Sequence, residues 1–252
     1  MKRIWLWALA FWAFTAAGEA PAGATEEMIT FPSGKEPGSA FLVTPEGSGP
    51  FSAVIVIQEW WGVNDWIKDQ ARALAREGYM AMAVDLYHGK VAKRQEEAHQ
   101  YMMGMSRDQA IRELRTAVVY LKRRPDVKPH KIGVIGWCMG GMYALTLATY
   151  DPTLAAVVAY YGAPPTEAAD IERIQAPVLG NYGGKDEGPT PAQVRQFEAA
   201  MKKAKKSIDV KIYPGAGHAF ANPNNPWKGY REAAAKDAWK RTLAFFEKNV
   251  KY

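Results

Sequence analysis

From residue 40 onward, short apolar segments alternate with amphipathic segments that have helical spacing. The segment 53–57 is apolar at every position, which is typical of a parallel strand covered on both faces. The amphipathic segments carry their apolar residues on one side, as Ile67, Ala71 and Leu74 do within 65–77. Such alternation predicts an α/β fold with a mostly parallel sheet and helices on both of its faces.

The position of each element follows from these patterns and from the residues that interrupt them. A chain of 252 residues is long enough for one such domain with a full core. We predict strands at 53–57, 80–84, 131–136, 154–160, 178–182 and 208–213, and helices at 65–77, 107–122, 139–150, from 191 onward and at 230–249. Because ligands bind such sheets at the carboxyl ends of the strands, the functional site is expected in the loops at that rim.

Residues 1–20 have the layout of a secretory signal peptide. Lys2 and Arg3 begin the chain, residues 4–17 are uncharged and mostly apolar, and small residues follow. This apolar run is too short to span a bilayer comfortably. We therefore expect cleavage between residues 17 and 24, export to the periplasm or beyond the cell, and no stable membrane insertion afterwards. An uncleaved membrane anchor is the alternative.

The net charge of +6 is not concentrated in one patch. The densest basic run, at 202–206, closes a predicted helix, where lysines offset the carbonyl end of the helix dipole. No aromatic stacking residues accompany it, as they would in many nucleic-acid sites. We therefore expect no nucleic-acid partner. The oligomeric state stays open, with a monomer favoured.

Cys138 is the only cysteine of the chain, so an intramolecular disulfide is excluded. It lies in Gly136-Trp137-Cys138-Met139-Gly140-Gly141, between a predicted strand and a predicted helix. This is the nucleophile-elbow pattern with cysteine in the serine position. A helix N-terminus favours the thiolate, and the Met139 N–H would be an oxyanion donor. The motif predicts a cysteine nucleophile.

A nucleophile of this type needs a base and a group that orients the base. Asp186 and His218 follow Cys138 in the expected chain order, each just after a predicted strand. His218 would carry protons, and Asp186 would hold its tautomer. Of the other histidines, His88 follows a strand at the same rim and could line the pocket. No zinc-binding spacing occurs, so we expect neither a metal nor a cofactor.

The loop after the strand at 53–57 reads Gln58-Glu59-Trp60-Trp61-Gly62. Glu59 is open to two interpretations: a solvent-facing loop acid, or a second carboxylate beside Cys138 that controls ionisation of the thiol. The Trp60 N–H would complete the oxyanion hole. An aromatic pocket is expected from Trp60, Trp61, Tyr87 and Trp137, although any of these rings could instead belong to the core.

Several blocks of the chain together resemble the dienelactone hydrolase family. The matching blocks, in order, are Gln58-Glu59-Trp60-Trp61-Gly62, Asp85-Leu86-Tyr87, Gly136-Trp137-Cys138-Met139-Gly140-Gly141, Tyr182-Gly183-Gly184-Lys185-Asp186 and Gly217-His218-Ala219-Phe220. The resemblance covers residues 28–252. It implies an α/β-hydrolase fold without a large cap, a Cys138–His218–Asp186 triad, and coupling of Glu59 to the resting thiol. By that resemblance, Cys138 attacks the carbonyl and forms an acyl-enzyme, which water then hydrolyses.

Two positions depart from this family. Members that act on dienelactone carry arginines that hold the substrate carboxylate, and Gly89 and Asn222 stand at those positions here. Lys90 or His88 could substitute, but a lysine is a single flexible charge and not a bidentate fork. Whether the substrate carries a carboxylate is therefore open. Candidates for substrate contacts are Trp61, Tyr87, His88, Trp137, Phe220 and Asn222.

The function predicted from the sequence is hydrolysis of a small ester or lactone. The same triad could serve an acyltransferase or a thioesterase, because nothing in the residues separates the acceptors. A non-catalytic binding module on the same scaffold is a third hypothesis, since a fold does not determine a function.

Overall fold

The computed structural model describes residues 22–251. The strands are β1 (Thr25–Phe31), β2 (Gly38–Thr44), β3 (Phe51–Ile57), β4 (Tyr79–Val84), β5 (Val127–Trp137), β6 (Ala156–Tyr160), β7 (Val178–Gly183) and β8 (Ile208–Tyr213). The helices are α1 (Asp65–Arg76), α2 (Gln95–Gly104), α3 (Arg107–Arg123), α4 (Met139–Tyr150), α5 (Ala168–Arg173), α6 (Pro191–Lys203) and α7 (Glu232–Phe246), which a π-helical turn (Glu247–Lys251) extends. The predicted signal peptide lies outside the described residues.

The strands form one eight-stranded sheet in the order β1-β2-β4-β3-β5-β6-β7-β8. β1 pairs antiparallel with β2, and β2 antiparallel with β4; every pairing from β4 to β8 is parallel. The prediction of a mostly parallel sheet is confirmed. Because the parallel strands share one direction, the loops after β3, β5, β6, β7 and β8 meet at one rim.

Helices cover both faces of the sheet. Apolar residues of α3, α4 and α6, such as Leu114, Leu147 and Phe197, pack on one face. Residues of α1 and α7, such as Leu74 and Phe246, pack on the other. Within β3, alternate residues point into these two cores, and segment 53–57 is fully buried. This two-sided burial explains why its sequence shows no alternation of apolar and polar residues.

The N-terminal caps of the helices match the sequence pattern. The Asn64 side chain accepts a hydrogen bond from the Ile67 N–H, which begins α1. Thr190 caps α6 and exchanges hydrogen bonds with Gln193 in a capping box. Such caps satisfy N–H groups that have no partner within the helix. These caps begin α1 at the end of the rim loop that follows β3, and α6 at the end of the rim loop that follows β7.

Four elements were not predicted: β1, β2, α2 and α5. β1 is an edge strand whose residues are mostly exposed, so its sequence lacks a buried stripe. α5 has only six residues, and α2 buries a single one, Ala98. No inserted cap domain occurs within residues 22–251. Of the helices in that part of the chain, none combines the length and the apolar character needed to cross a membrane.

Candidate active site

A sharp turn between β5 and α4 presents Cys138 at the rim. Its backbone angles, φ 53° and ψ −118°, are unusual for a residue with a side chain. A Cβ at Gly140 would lie 2.3 Å from the Ile57 carbonyl oxygen, and one at Gly136 would lie 2.1 Å from the Gly140 carbonyl oxygen. Glycine is therefore required at both positions, and backbone contacts with β3 and α4 hold the turn in place.

Three side chains meet above this turn. His218 Nε2 lies 3.1 Å from Cys138 Sγ, and His218 Nδ1 lies 2.9 Å from Asp186 Oδ2. Asp186 is buried, and its other oxygen accepts a hydrogen bond from the Gly188 N–H at 2.9 Å. The loops after β7 and β8 thus bring Asp186 and His218 to the thiol, in an arrangement that can move a proton between sulfur and imidazole.

The neighbours of His218 favour its charged form. Burial alone lowers the pKa of this imidazole, but its hydrogen bonds to Asp186 and Cys138 outweigh burial and raise the pKa to about 10. An imidazolium is therefore stabilised between the carboxylate and the sulfur.

The two predicted oxyanion donors come from adjacent elements. Met139 is the first residue of α4, and Trp60 follows the end of β3. The start of α4 packs tightly on this end of β3, because the Cβ position of Gly140 is 2.3 to 2.5 Å from the carbonyl oxygens of Ile57 and Gln58. This contact brings the start of α4, where Met139 lies, against the end of β3, which Trp60 follows.

Glu59 is buried, so the interpretation as a solvent-facing acid is wrong. Asn222 Nδ2 donates to its Oε2 at 2.7 Å, and the Tyr161 hydroxyl donates to its Oε1 at 3.2 Å. Burial raises the pKa of Glu59 to about 7, although the two hydrogen bonds and the nearby His218 act in the opposite direction. Within residues 22–251, the hydrogen-bond partner of the thiol is His218, and Glu59 bonds Tyr161 and Asn222 instead.

The sequence did not indicate Tyr161, which directly follows β6 at the catalytic rim. Its ring packs edge-on against the His218 ring, with 5.2 Å between centroids, and its φ is 39°. A tyrosine at the carboxyl end of a predicted parallel strand is the signal that could have marked it.

Three predicted substrate contacts have other partners in the structure. Trp137 is fully buried and packs on Trp66 and Tyr160. Phe220 is fully buried in the same core, so for both rings the prediction of a substrate contact is corrected to a core position. The pleat of β5 points the Trp137 side chain between the sheet and α1. Asn222 is also buried, and its amide is committed to Glu59.

The loop after β4 carries two more of the predicted contacts. The Tyr87 hydroxyl lies 3.4 Å from Met139 Sδ, next to the elbow. His88 is exposed, and its Nε2 lies 3.1 Å from Oε1 of Glu113 on α3. The structure therefore places Tyr87 beside the elbow, and His88 contacts α3.

Trp60 and Trp61 lie together at the rim with Trp227, a residue that the sequence did not single out. A cleft of about 370 Å³ adjoins them, and its lining residues are Lys185, Asp186, Glu187, Gly188, His218 and Trp227. The cleft is lined by the predicted base and orienting acid, so a ligand bound there would lie next to His218, whose Nε2 is 3.1 Å from Cys138 Sγ.

A parallel sheet that carries a nucleophile elbow after one strand, with a histidine and an acid after later strands, defines an α/β-hydrolase. The family model for the dienelactone hydrolase family matches residues 39–250. The chain belongs to this family and is a carboxylic ester hydrolase of the carboxymethylenebutenolidase-like type.

Individual relatives agree with this assignment. The chain is 36% identical over 248 residues to a protein of Saccharolobus solfataricus named "putative carboxymethylenebutenolidase", a match that covers 83% of this chain and 93% of the relative. The crystal structure of a "putative dienelactone hydrolase" from Klebsiella pneumoniae superposes with a TM-score of 0.81 at 30% identity, covering 88% of this chain and 98% of the other. A dienelactone hydrolase-like promiscuous phosphotriesterase from metagenomic libraries has a TM-score of 0.83 at 26% identity, with 90% and 99% covered.

Proposed function

We propose that the protein hydrolyses small esters or lactones through a Cys138–His218–Asp186 triad and an acyl-enzyme intermediate. The observation that carries the proposal is the chain of contacts from sulfur to imidazole at 3.1 Å and from imidazole to carboxylate at 2.9 Å, at a strained turn. Nucleophile, base and orienting acid within hydrogen-bond reach are what covalent catalysis requires.

The first half of the reaction forms the acyl-enzyme. The Cys138 thiolate attacks the carbonyl carbon, and the new oxyanion accepts hydrogen bonds from the N–H groups of Trp60 and Met139. When the carbon–oxygen bond breaks, the His218 imidazolium gives its proton to the leaving alcohol. In a lactone, that alcohol stays attached to the acyl chain.

The second half releases the acid. Neutral His218 takes a proton from a water molecule while the water oxygen attacks the thioester carbon. The carbon–sulfur bond then breaks, and the carboxylic acid leaves. The thiolate and the imidazolium are restored, so no cofactor is consumed.

The features of the cleft favour an uncharged substrate. The Asn222 amide is committed to Glu59, and position 89 has φ 88°, a backbone conformation suited to glycine and strained for an arginine. The exposed charges of the cleft, Lys185 and Glu187, have opposite signs. We therefore propose that neutral esters or lactones are turned over faster than anionic ones.

The experiment that tests the mechanism compares the wild-type chain with Cys138→Ala on phenyl acetate and on a neutral γ-lactone. We expect loss of at least about 10³-fold in kcat/KM, with an unchanged circular dichroism spectrum. Intact-mass analysis of quenched wild-type reactions should show an acyl adduct that the variant lacks. Turnover by the variant at the wild-type rate would refute the proposal.

The other functions open to this scaffold give different results. An acyltransferase or thioesterase would prefer an alcohol acceptor to water, or a thioester to an oxygen ester, in competition experiments. A binding module would bind the lactone without turnover.

We also propose export by the N-terminal signal, which N-terminal sequencing of the mature protein tests. A monomer, tested by light scattering, is proposed for the oligomeric state.

A further inference from the structure

Three indole rings lie in mutual contact at the rim, and one of them, Trp227, lines the same cleft as His218. The centroids of Trp60 and Trp61 are 5.2 Å apart, those of Trp60 and Trp227 are 5.7 Å apart, and those of Trp61 and Trp227 are 6.4 Å apart. We call these three residues the indole wall. Trp60 and Trp61 come from the loop after β3, and Trp227 comes from the loop between His218 and α7.

The spacing within the indole wall shows what it can bind. Centroid distances of 5.2 to 6.4 Å are those of aromatic rings in direct contact. Rings in direct contact leave no gap between them for a ligand group, so a ligand would bind on an exposed ring face. The ring planes are tilted to one another by 34° to 67°, so the wall is not a single plane, and the flat apolar face that it offers to the cleft is that of the Trp227 ring.

The loop that carries Trp227 is held by its own side chains. The Trp227 N–H donates to Asn225 Oδ1 at 3.0 Å, and the Asn225 N–H donates to the Asn222 carbonyl at 3.2 Å. Asn222 in turn binds the buried Glu59. This chain of contacts connects the Trp227 backbone to a buried group next to the triad, so the loop is fixed relative to His218.

Trp227 is a large apolar side chain that is 47% exposed, and it lines the same cleft as His218. In the cleft, the exposed charges of Lys185 and Glu187 have opposite signs, and Trp227 is the large apolar side chain beside His218. A substrate whose carbonyl carbon reaches Cys138 from this cleft has the Trp227 ring within reach of its remaining part.

From this geometry we infer that Trp227 is a specificity-determining residue, which selects uncharged esters or lactones with a flat aromatic or unsaturated group. That group stacks on the exposed face of the Trp227 ring while the carbonyl lies at Cys138. The inference rests on the proposed hydrolysis. Because stacking acts on substrate and transition state alike, it should lower KM and leave kcat unchanged.

The test uses Trp227→Ala and Trp227→Phe with two activated acetates, phenyl acetate and 2,2,2-trifluoroethyl acetate, of which only the first carries a ring. We expect Trp227→Ala to raise KM for phenyl acetate about threefold to tenfold, with kcat unchanged and kcat/KM for the trifluoroethyl ester within about twofold. Trp227→Phe should retain most of the preference.

Tyr150→Ala is the matched control, because Tyr150 is similarly exposed at the far end of α4 from Cys138. It should leave both substrates unaffected. Equal changes for the two esters in Trp227→Ala, or no change for either, would overturn the inference.

The inference and the proposed mechanism fail in different ways. Suppose that Trp227→Ala raises KM for phenyl acetate selectively while Cys138→Ala stays active. That pair of results would refute the proposed mechanism and support the assignment of Trp227 as a specificity-determining residue. If the wild-type chain turned over neither ester, hydrolysis of such esters would be refuted. Binding of phenol, measured by calorimetry, would then decide: binding weakened at least about threefold by Trp227→Ala supports the stacking surface, and equal binding refutes it.

Discussion

Replacing Glu59 by glutamine should change how the stability of the protein depends on pH. The Glu59 carboxyl is fully buried, and its pKa is raised from 4.5 to about 7. Glutamine has nearly the same shape: its oxygen can accept from Asn222, and its amide can donate to the Tyr161 oxygen. The substitution therefore removes the titration while it retains the packing.

The direction follows from proton counting. Below pH 4.5, Glu59 is protonated in both the folded and the unfolded chain. Between pH 4.5 and about 7, the folded chain keeps a proton that the unfolded chain has lost, so the free energy of unfolding falls as pH rises. At about 1.36 kcal/mol per pH unit, the total loss is about 3 kcal/mol, and it levels off above pH 7 to 8.

Urea unfolding of both proteins between pH 4.5 and 8, followed by tryptophan fluorescence, measures the effect. Subtracting the free energies of unfolding of the two proteins cancels the contribution of the other titrating groups. Any cost of altered hydrogen bonds adds the same amount to this difference at every pH. We expect Glu59→Gln to gain about 3 kcal/mol relative to the wild-type chain across this range. A difference that does not change with pH would refute the argument that burial of this carboxyl raises its pKa.

Two further substitutions test the elbow and the triad. Gly140→Ala places a methyl group 2.3 Å from the Ile57 carbonyl oxygen. We therefore expect a destabilisation of about 1–3 kcal/mol together with a loss of esterase activity. A variant with the wild-type melting temperature and turnover would contradict the steric account of the turn. Asp186→Asn should lower kcat roughly 10³–10⁴-fold, because the amide favours the wrong tautomer of His218. As a control, the urea midpoint of the variant should equal that of the wild-type chain. A kcat within tenfold of wild type would show that Asp186 does not orient the base.

The positions of the three residues of the proposed triad could be predicted from the sequence because each lies next to a local signal. Cys138 lies between glycines at a strand-to-helix junction, and Asp186 and His218 lie in the loops after β7 and β8. Parallel strands bring their carboxyl ends to one rim, so the order of elements alone predicts that these side chains meet.

Tyr161 and Trp227 could not be predicted in the same way. The contacts of Trp227 depend on the path of the loop that follows His218, and asparagine side chains determine that path through bonds within the loop. The hydrogen bond between Asn222 and Glu59 joins residues that are 163 positions apart in the sequence. Such pairings are properties of the tertiary structure, and no periodic pattern records them. The same holds for β1, which is attached to β2 by backbone pairing along an exposed edge.

The tight backbone contacts around Gly136 and Gly140 also bear on how this enzyme can evolve. Main-chain atoms hold the turn at Cys138, the proposed nucleophile, whereas the indole wall consists of loop side chains. If Trp227 selects the substrate as inferred above, mutations there change substrate preference without displacing the sulfur. A combinatorial library that varies positions 61 and 227 and keeps both glycines, Glu59 and Trp60 would sample new specificities with the elbow intact.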